Sequence, residues 1–171
     1  CADLCATEYN FSREDQDKFA FESHMKALKA QADGKFDSQI VPINIEQTFV
    51  NENGKKETKP YVVHKDEGPR AGTSIEALAG LRPVFEAGGS VTAGNSSQMS
   101  DGAAFVLVMS EEMVKELNLE PIARLVNFAS AGVEPRIMGI GPVKAIPKAL
   151  KQAGLSINDI GLIELNEAFA S

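Results

Sequence analysis

Tryptophan is absent from this sequence, and tyrosine, histidine and cysteine occur only twice each in 171 residues. Two cysteines do not make a disulfide framework in a chain of this length, so a reducing, intracellular, cytoplasmic setting is expected. Neither His24 nor His64 has ligand spacing to Cys1 or Cys5, so no metal site is expected. His24 stands among Glu22, Ser23 and Lys26 and reads as a surface residue. His64 stands among charged loop residues. Neither has a sequence partner for a general-base role. Positive charge is also short: 17 Lys and Arg face 24 Asp and Glu, for a net charge of -7. That balance argues against a nucleic-acid coat or an anionic membrane surface as partner, since both need spread positive charge. It leaves room for an anionic small ligand held by one or two local cations. No apolar run approaches the length of a membrane span. The chain does not open on Met, so a targeting segment would lie outside these residues.

What is present is ordinary globular composition, 43% apolar and 24% charged, enough for one domain or two small ones. Ser12 followed three residues on by Asp15 is an N-cap signal. Phe21, Met25, Leu28 and Ala32 then recur at helical spacing, and Gly34 is a stop. Val41, Ile43 and Ile45 alternate, with Pro42 restricting residues 40–45 to an edge strand. The polar stretch 46–60 reads as a turn or hairpin tip. Residues 66–70 read as a loop, and Ile75, Leu78 and Leu81 as a short helix ending near Pro83. Residues 87–102 are rich in Gly, Ser and Thr and read as irregular. The texture then changes. Residues 103–109, 122–129 and 160–165 are expected as strands, the first and last buried on both faces. Helices are expected over 111–118, capped by Ser110, and over 142–153, closed by Gly154. Pro147 requires the second helix to start late or bend. Strands alternating with helices are α/β texture.

Several segments carry chemistry-bearing residues. Cys1 and Cys5 share a helical face, which suits a reactive thiol or half a metal site less well than buried apolar packing. Gly94-Asn95-Ser96-Ser97 has the small residues that let a backbone approach a ligand, and a serine hydroxyl suited to an amide; a plain connection is the competing reading. Gly139-Ile140-Gly141-Pro142 leads into a helix N-terminus, which attracts anions. Asn166-Glu167-Ala168-Phe169 follows an expected strand, where α/β folds place ligand groups. An asparagine there can position a water or an oxyanion, or simply close a turn.

In order and with their neighbours, these segments resemble the thiolase family. Val91 through Met109 is similar to the stretch joining the thiolase loop domain to the catalytic core. Ile137 to Pro142 is similar to a second signature, and Glu164 to Ala170, with Asn-Glu-Ala-Phe-Ala, to a third. Ser12 to Asp17 resembles the helix start of the same region, so the resemblance covers essentially the whole chain. It implies an α/β, layered αβαβα fold. Residues 1–99 would be most of the CoA-covering loop domain, 100–120 the end of the first core half, and 121–171 the start of the second.

The resemblance also implies acyl transfer between CoA thioesters by ping-pong chemistry, in thiolysis of a 3-ketoacyl-CoA or the reverse condensation of acetyl-CoA. CoA and acyl-CoA would be substrates, with no prosthetic group and no metal, and the full-length form would be a homodimer or homotetramer. By resemblance Asn166 holds a water in an oxyanion hole. Arg70 lies along the CoA nucleotide, and Ser97 bonds a pantetheine amide. Phe85, Met99, Met138 and Phe169 line the pantetheine tunnel, while Gly139 and Ala168 keep the thiol end narrow. The family's nucleophilic cysteine is expected upstream of residue 1, and its Gly-His-Pro histidine and second cysteine downstream of Ser171; Cys1 and Cys5 stand in neither context. Val84 and Ala77 occupy positions where smaller or hydroxyl-bearing residues often sit. The competing reading is a non-catalytic CoA- or lipid-binding module on the same scaffold. An unrelated α/β domain would require three ordered motifs to coincide by chance.

Overall fold

A computed structural model describes all residues, 1–171. Helix α1 spans Ala2–Glu8 and α2 spans Arg13–Ala32. The start of α2 is fixed by a reciprocal cap: the Asp15 N–H donates to Ser12 Oγ at 3.0 Å, and the Ser12 N–H donates to the Asp15 carboxylate at 3.1 Å. The Ser12 hydroxyl, and after it the Ser12 N–H, holds the Asp15 carboxyl below the usual carboxylate range. Gly34, at φ +67°, ends the helix as its composition demands. The face expected to be buried, Phe21, Met25 and Leu28, is only half-buried. The residues α2 buries are Gln16, Asp17 and Ala20, so hydrogen bonding rather than apolar area fixes its N-terminal half.

The segment expected as an edge strand and a polar turn is instead one hairpin. Strands β1 (Ile43–Val50) and β2 (Lys56–Val63) pair antiparallel, with Ile43 opposite Val63 and Val50 opposite Lys56. The turn is confined to 51–55. There Asn51 Oδ1 accepts from the Asn53 and Lys55 amides, both at 3.0 Å, and Gly54 takes φ +74°. The ribbon is exposed on both faces apart from Phe49, so the alternation of Ile43 and Ile45 marks only its first residues and nothing in the pattern marks the rest. Cross-strand pairs hold it: Thr48 Oγ1 lies 3.0 Å from Thr58 Oγ1, and Lys59 Nζ stands 4.8 Å from the Phe49 ring centre.

Helix α3 (Ile75–Ala79) is shorter than expected, stopping at Gly80. Helix α4 (Glu111–Glu116) starts at Ser110, whose Oγ accepts from the Met113 amide at 3.3 Å. A 3-10 turn, Pro135–Ile140, leads into α5 (Gly141–Ala153), which accommodates Pro147 and ends on Gly154 at φ +69°. Asn127 Nδ2 donates to the Ala149 carbonyl at 2.8 Å and Lys148 Nζ to the Ser130 carbonyl at 2.9 Å, tying 127–130 to α5.

The three strands expected over 103–109, 122–129 and 160–165 do not form. The hairpin is the only sheet, and Phe105 is 96% and Leu162 78% exposed. An apolar run becomes a covered strand only when neighbours satisfy its backbone and layers cover its faces; no segment of these 171 residues does either. The buried core lies elsewhere and is small: Ala2, Cys5, Ala6, Ala20, Leu78 and Val91, with the polar Gln16, Asp17, Thr92 and Asn95. Cys5 is packed as expected, while Cys1 is exposed. No helix is long and apolar enough to cross a membrane.

Candidate functional site

The backbone of the 90–97 loop is held by polar side chains from α1 and α2 as well as its own. Asp3 Oδ1 accepts from the Ser90 and Val91 amides at 2.7 and 3.0 Å. Gln16 Nε2 donates to Ser90 Oγ at 2.9 Å, leaving Gln16 Oε1 buried without a partner. Asn95, 3% exposed, is the hub. Its Nδ2 donates to Asp17 Oδ1 at 3.0 Å and to the Ser90 carbonyl at 2.9 Å, and its Oδ1 accepts from the Thr92 amide at 2.8 Å. Asp17 is held in turn by Arg13 Nε at 2.8 Å, and the same guanidinium donates to the Leu78 carbonyl at 2.7 Å. Loop, α2 and α3 thus share one hydrogen-bonded network, satisfied at nearly every atom.

This anchored loop meets the C-terminal motif. The Ser97 amide donates to the Ala168 carbonyl, and the Ala170 amide donates to the Asn95 carbonyl, both at 2.9 Å. Ser96 and Phe169 face each other as an antiparallel bridge. Phe169 meets Phe85 edge-on, with ring centres 6.2 Å apart and planes at 71°. Two segments separated by some seventy residues, each singled out by its residue types, form one surface.

Beside this junction lies an open cleft of about 210 Å³. One wall is the α2 face of Phe19, Ala20, Ser23, His24 and Ala27, spaced as neighbours on a helix. The other walls are Gly68 and Pro69, residues 94–98, and Glu167 with Ala170. Ser23 Oγ donates to Glu167 Oε2 at 2.5 Å. The Arg70 amide donates to His24 Nδ1 at 3.3 Å. A Cβ on Gly68 would fall 2.0 Å from Gln98 Nε2, the mobile end of an exposed side chain, so an alanine there would displace Gln98 across the cleft.

The residues implied by resemblance are distributed unevenly over this geometry. Ser97 lines the cleft, and Ala168, Phe169 and Phe85 join it at the backbone and ring contacts just described. Arg70 borders it: its amide is tied to His24 while its side chain is exposed. Gly139 lies at α1, where a Cβ would stand 3.5 Å from Cys5 Sγ. Asn166, Met99 and Met138 are exposed, and none of them lines the cleft. Sequence reasoning did not single out Asp3, Gln16 and Asp17, nor the roles of Ser23, His24 and Glu167. His24 in particular is no free surface residue but half-buried in the cleft wall. The Arg13–Asp17 spacing of four was the one local signal available for the network.

Comparison with known proteins places the chain in a family. Residues 1–112 match the thiolase N-terminal domain and residues 119–171 the thiolase C-terminal domain. The chain is 53% identical over 170 residues to a 3-ketoacyl-CoA thiolase of Bacillus subtilis (strain 168), covering 99% of this chain and 44% of that protein. Its structure superposes on the Bacillus anthracis acetyl-CoA acetyltransferase with a TM-score of 0.89 at 49% identity, covering 99% of this chain and 41% of that one. On human mitochondrial 3-ketoacyl-CoA thiolase the TM-score is 0.84 at 41% identity, covering 99% and 40%. The chain therefore spans less than half the length of the relatives it matches. With the thiolase fold shared at these identities, and with both domain matches together covering nearly every residue, the chain belongs to the thiolase family.

Proposed function

We propose that these residues form part of the CoA-thioester site of a full-length thiolase that transfers acyl groups between CoA thioesters. The observation that carries this reading is the junction of the 94–97 loop with 168–170. It puts Ser97 beside Ala168 and Phe169 in a rigid, polar-anchored surface, and site residues acting on one substrate must be held this way. In this reading CoA lies along the junction. Arg70 meets its nucleotide end as a charge for phosphate. The Ser97 hydroxyl bonds a pantetheine amide, and Phe85, Phe169, Met99 and Met138 supply apolar lining. Gly139 and Ala168 leave space for the thiol end.

The covalent chemistry belongs to groups outside these residues. A cysteine thiolate attacks the thioester or keto carbon, the bond to CoA or to the α-carbon breaks, and the acyl-cysteine is passed to the second thiol or carbon nucleophile. Asn166 acts on the negative charge that develops on the carbonyl oxygen, through a held water. The same reading includes a degradative, chain-shortening role, a homo-oligomer and a cytoplasmic location.

The test is a pair of variants in the full-length enzyme. Asn166→Ala is expected to lower kcat with little change in KM, since an oxyanion donor acts on transition-state charge; a direct donor is worth ~3 kcal/mol and one acting through water less. Arg70→Ala is expected to raise KM for CoA and spare kcat, by ~1 kcal/mol at low salt and less as salt rises. A pure KM effect at Asn166 would remove it from the catalytic class, and an unchanged KM at Arg70 would make it a surface residue.

A further inference from the structure

Ser23 and His24 are successive residues on α2, and both side chains are engaged across the cleft rather than left to solvent. Ser23 Oγ donates to Glu167, 144 residues away and directly beside Asn166. His24 Nδ1 accepts from the Arg70 amide, 46 residues away. α2 itself is immobilised at its other end by the Arg13–Asp17–Asn95 network and by its Ser12 cap. One rigid helix turn therefore grips both the segment that carries Asn166 and the loop that carries Arg70.

We propose that Ser23 and His24 are positioning residues that set the distance between the two ends of the bound CoA thioester. Ser23 acts through Glu167 on Asn166, and His24 acts through the Arg70 backbone on the Arg70 side chain. The proposal rests on the CoA-site reading above. Neither residue is placed on the substrate. The hydroxyl fixes the carboxylate that follows Asn166 in the chain, so its loss lets the 166–170 segment drift at its exposed end while the Ser97–Ala168 bond holds the other. The imidazole holds one amide of an otherwise exposed loop, so its loss frees Arg70 without altering its charge.

The two contacts predict separate kinetic signatures, which general destabilisation would not produce. Steady-state thiolysis in the full-length enzyme is measured for Ser23→Ala, Ser23→Thr, His24→Leu and His24→Asn, with Asn166→Ala and Arg70→Ala as references and thermal midpoints recorded for all. Ser23→Ala should lower kcat about 10-fold with KM for CoA nearly unchanged, the size of one hydrogen bond to a carboxylate. Ser23→Thr, which keeps the hydroxyl, should recover most of it. His24→Leu should raise KM for CoA about 3- to 10-fold with kcat nearly unchanged. His24→Asn, whose amide oxygen can take the place of Nδ1, should restore KM. Wild-type kinetics in Ser23→Ala and His24→Leu, or parallel loss of kcat and KM without rescue, would overturn the proposal while the references still behave. Failure of the Asn166 and Arg70 references themselves would instead overturn the CoA-site reading.

Discussion

The hub position of Asn95 makes its truncation the sharpest test of how the site is built. Asn95→Ala deletes three hydrogen bonds: to the Asp17 carboxylate at 3.0 Å, to the Ser90 carbonyl at 2.9 Å and from the Thr92 amide at 2.8 Å. The partners stay where they are. Thr92 is wholly buried and Asp17 nearly so, so water replaces their lost partner only in part. One charge-assisted bond at ~1.5–3 kcal/mol and two neutral ones at ~0.5–1.5 each would sum to ~2.5–6 kcal/mol. Some water entry into the space of the deleted amide offsets part of this, which puts the expected loss at ~3–4 kcal/mol. Native-state hydrogen exchange at the Val91 amide reads it. That amide is fully buried and donates to Asp3, not to Asn95, so it reports loosening of the loop rather than the deleted bond. Where exchange follows the opening equilibrium, it should accelerate about 10²- to 10³-fold, at ~1.4 kcal/mol per decade. Asn95→Asp should do no better, because a second carboxylate would face Asp17. An acceleration of Val91 exchange below about 5-fold in Asn95→Ala, or full protection in Asn95→Asp, would refute the claim that this network holds the loop.

Three further expectations follow from other places in the structure. Asp15 is held below the usual carboxylate range first by the Ser12 hydroxyl, Glu76 and Glu112 first by their own amides, and Asp159 first by the Ser156 amide. Each depressed carboxyl contributes stability that is present above its unfolded value and lost as pH falls through its lower folded value, so helix content should drop only below the ordinary carboxylate range; Ser12→Ala should start that drop at higher pH in a circular-dichroism titration. Gly94→Ala would place a Cβ 2.5 Å from Leu78 Cδ2 and 2.6 Å from Leu81 Cδ1; overpacking against buried Leu78 and its neighbour Leu81 should cost ~1–3 kcal/mol in urea unfolding, and an unchanged urea midpoint would contradict it. The 171-residue chain by itself should self-associate through its exposed runs at 103–109, 122–129 and 160–165 and show no thiolysis of acetoacetyl-CoA above a buffer blank; a monomer by sedimentation with a cooperative thermal transition would contradict the first, and turnover the second.

Legibility in the sequence depended on whether a local signal carried the structure. Ser12 with Asp15, Ser110 before Glu111, and Gly34 and Gly154 after their helices are local caps, and each stands where its residue type requires. The hairpin tip was legible, but the expected turn is too long, because most of β1 and all of β2 lack a buried face to mark them as strand. The apolar runs were read correctly as sequences that want cover, and incorrectly as strands that have it, because pairing depends on a partner that composition cannot locate. At the junction, Ser97, Ala168 and Phe169 stand in distinctive strings, and the structure brings those strings together. The contacts of Ser23 and His24 were not legible because their partners lie far along the sequence, 144 residues for one pair and 46 for the other.

The division between polar anchoring and unpaired apolar runs bears on how the site works. Hydrogen bonds are directional and fix positions to a few tenths of an ångström, whereas apolar contact fixes only that surfaces meet. The 90–97 loop, which carries Ser97, is held by Asp3, Gln16, Asp17 and Asn95. The runs around Phe105, Leu125 and Leu162 need only to be covered, and they are the parts left exposed here. Asn166 stands at the seam, one residue from Leu165 on the uncovered side and one from the Ser23-held Glu167 on the anchored side. The Ser23 contact to Glu167 is thus the one side-chain hydrogen bond that ties the residue next to Asn166 to α2, while Leu165 on its other side is exposed.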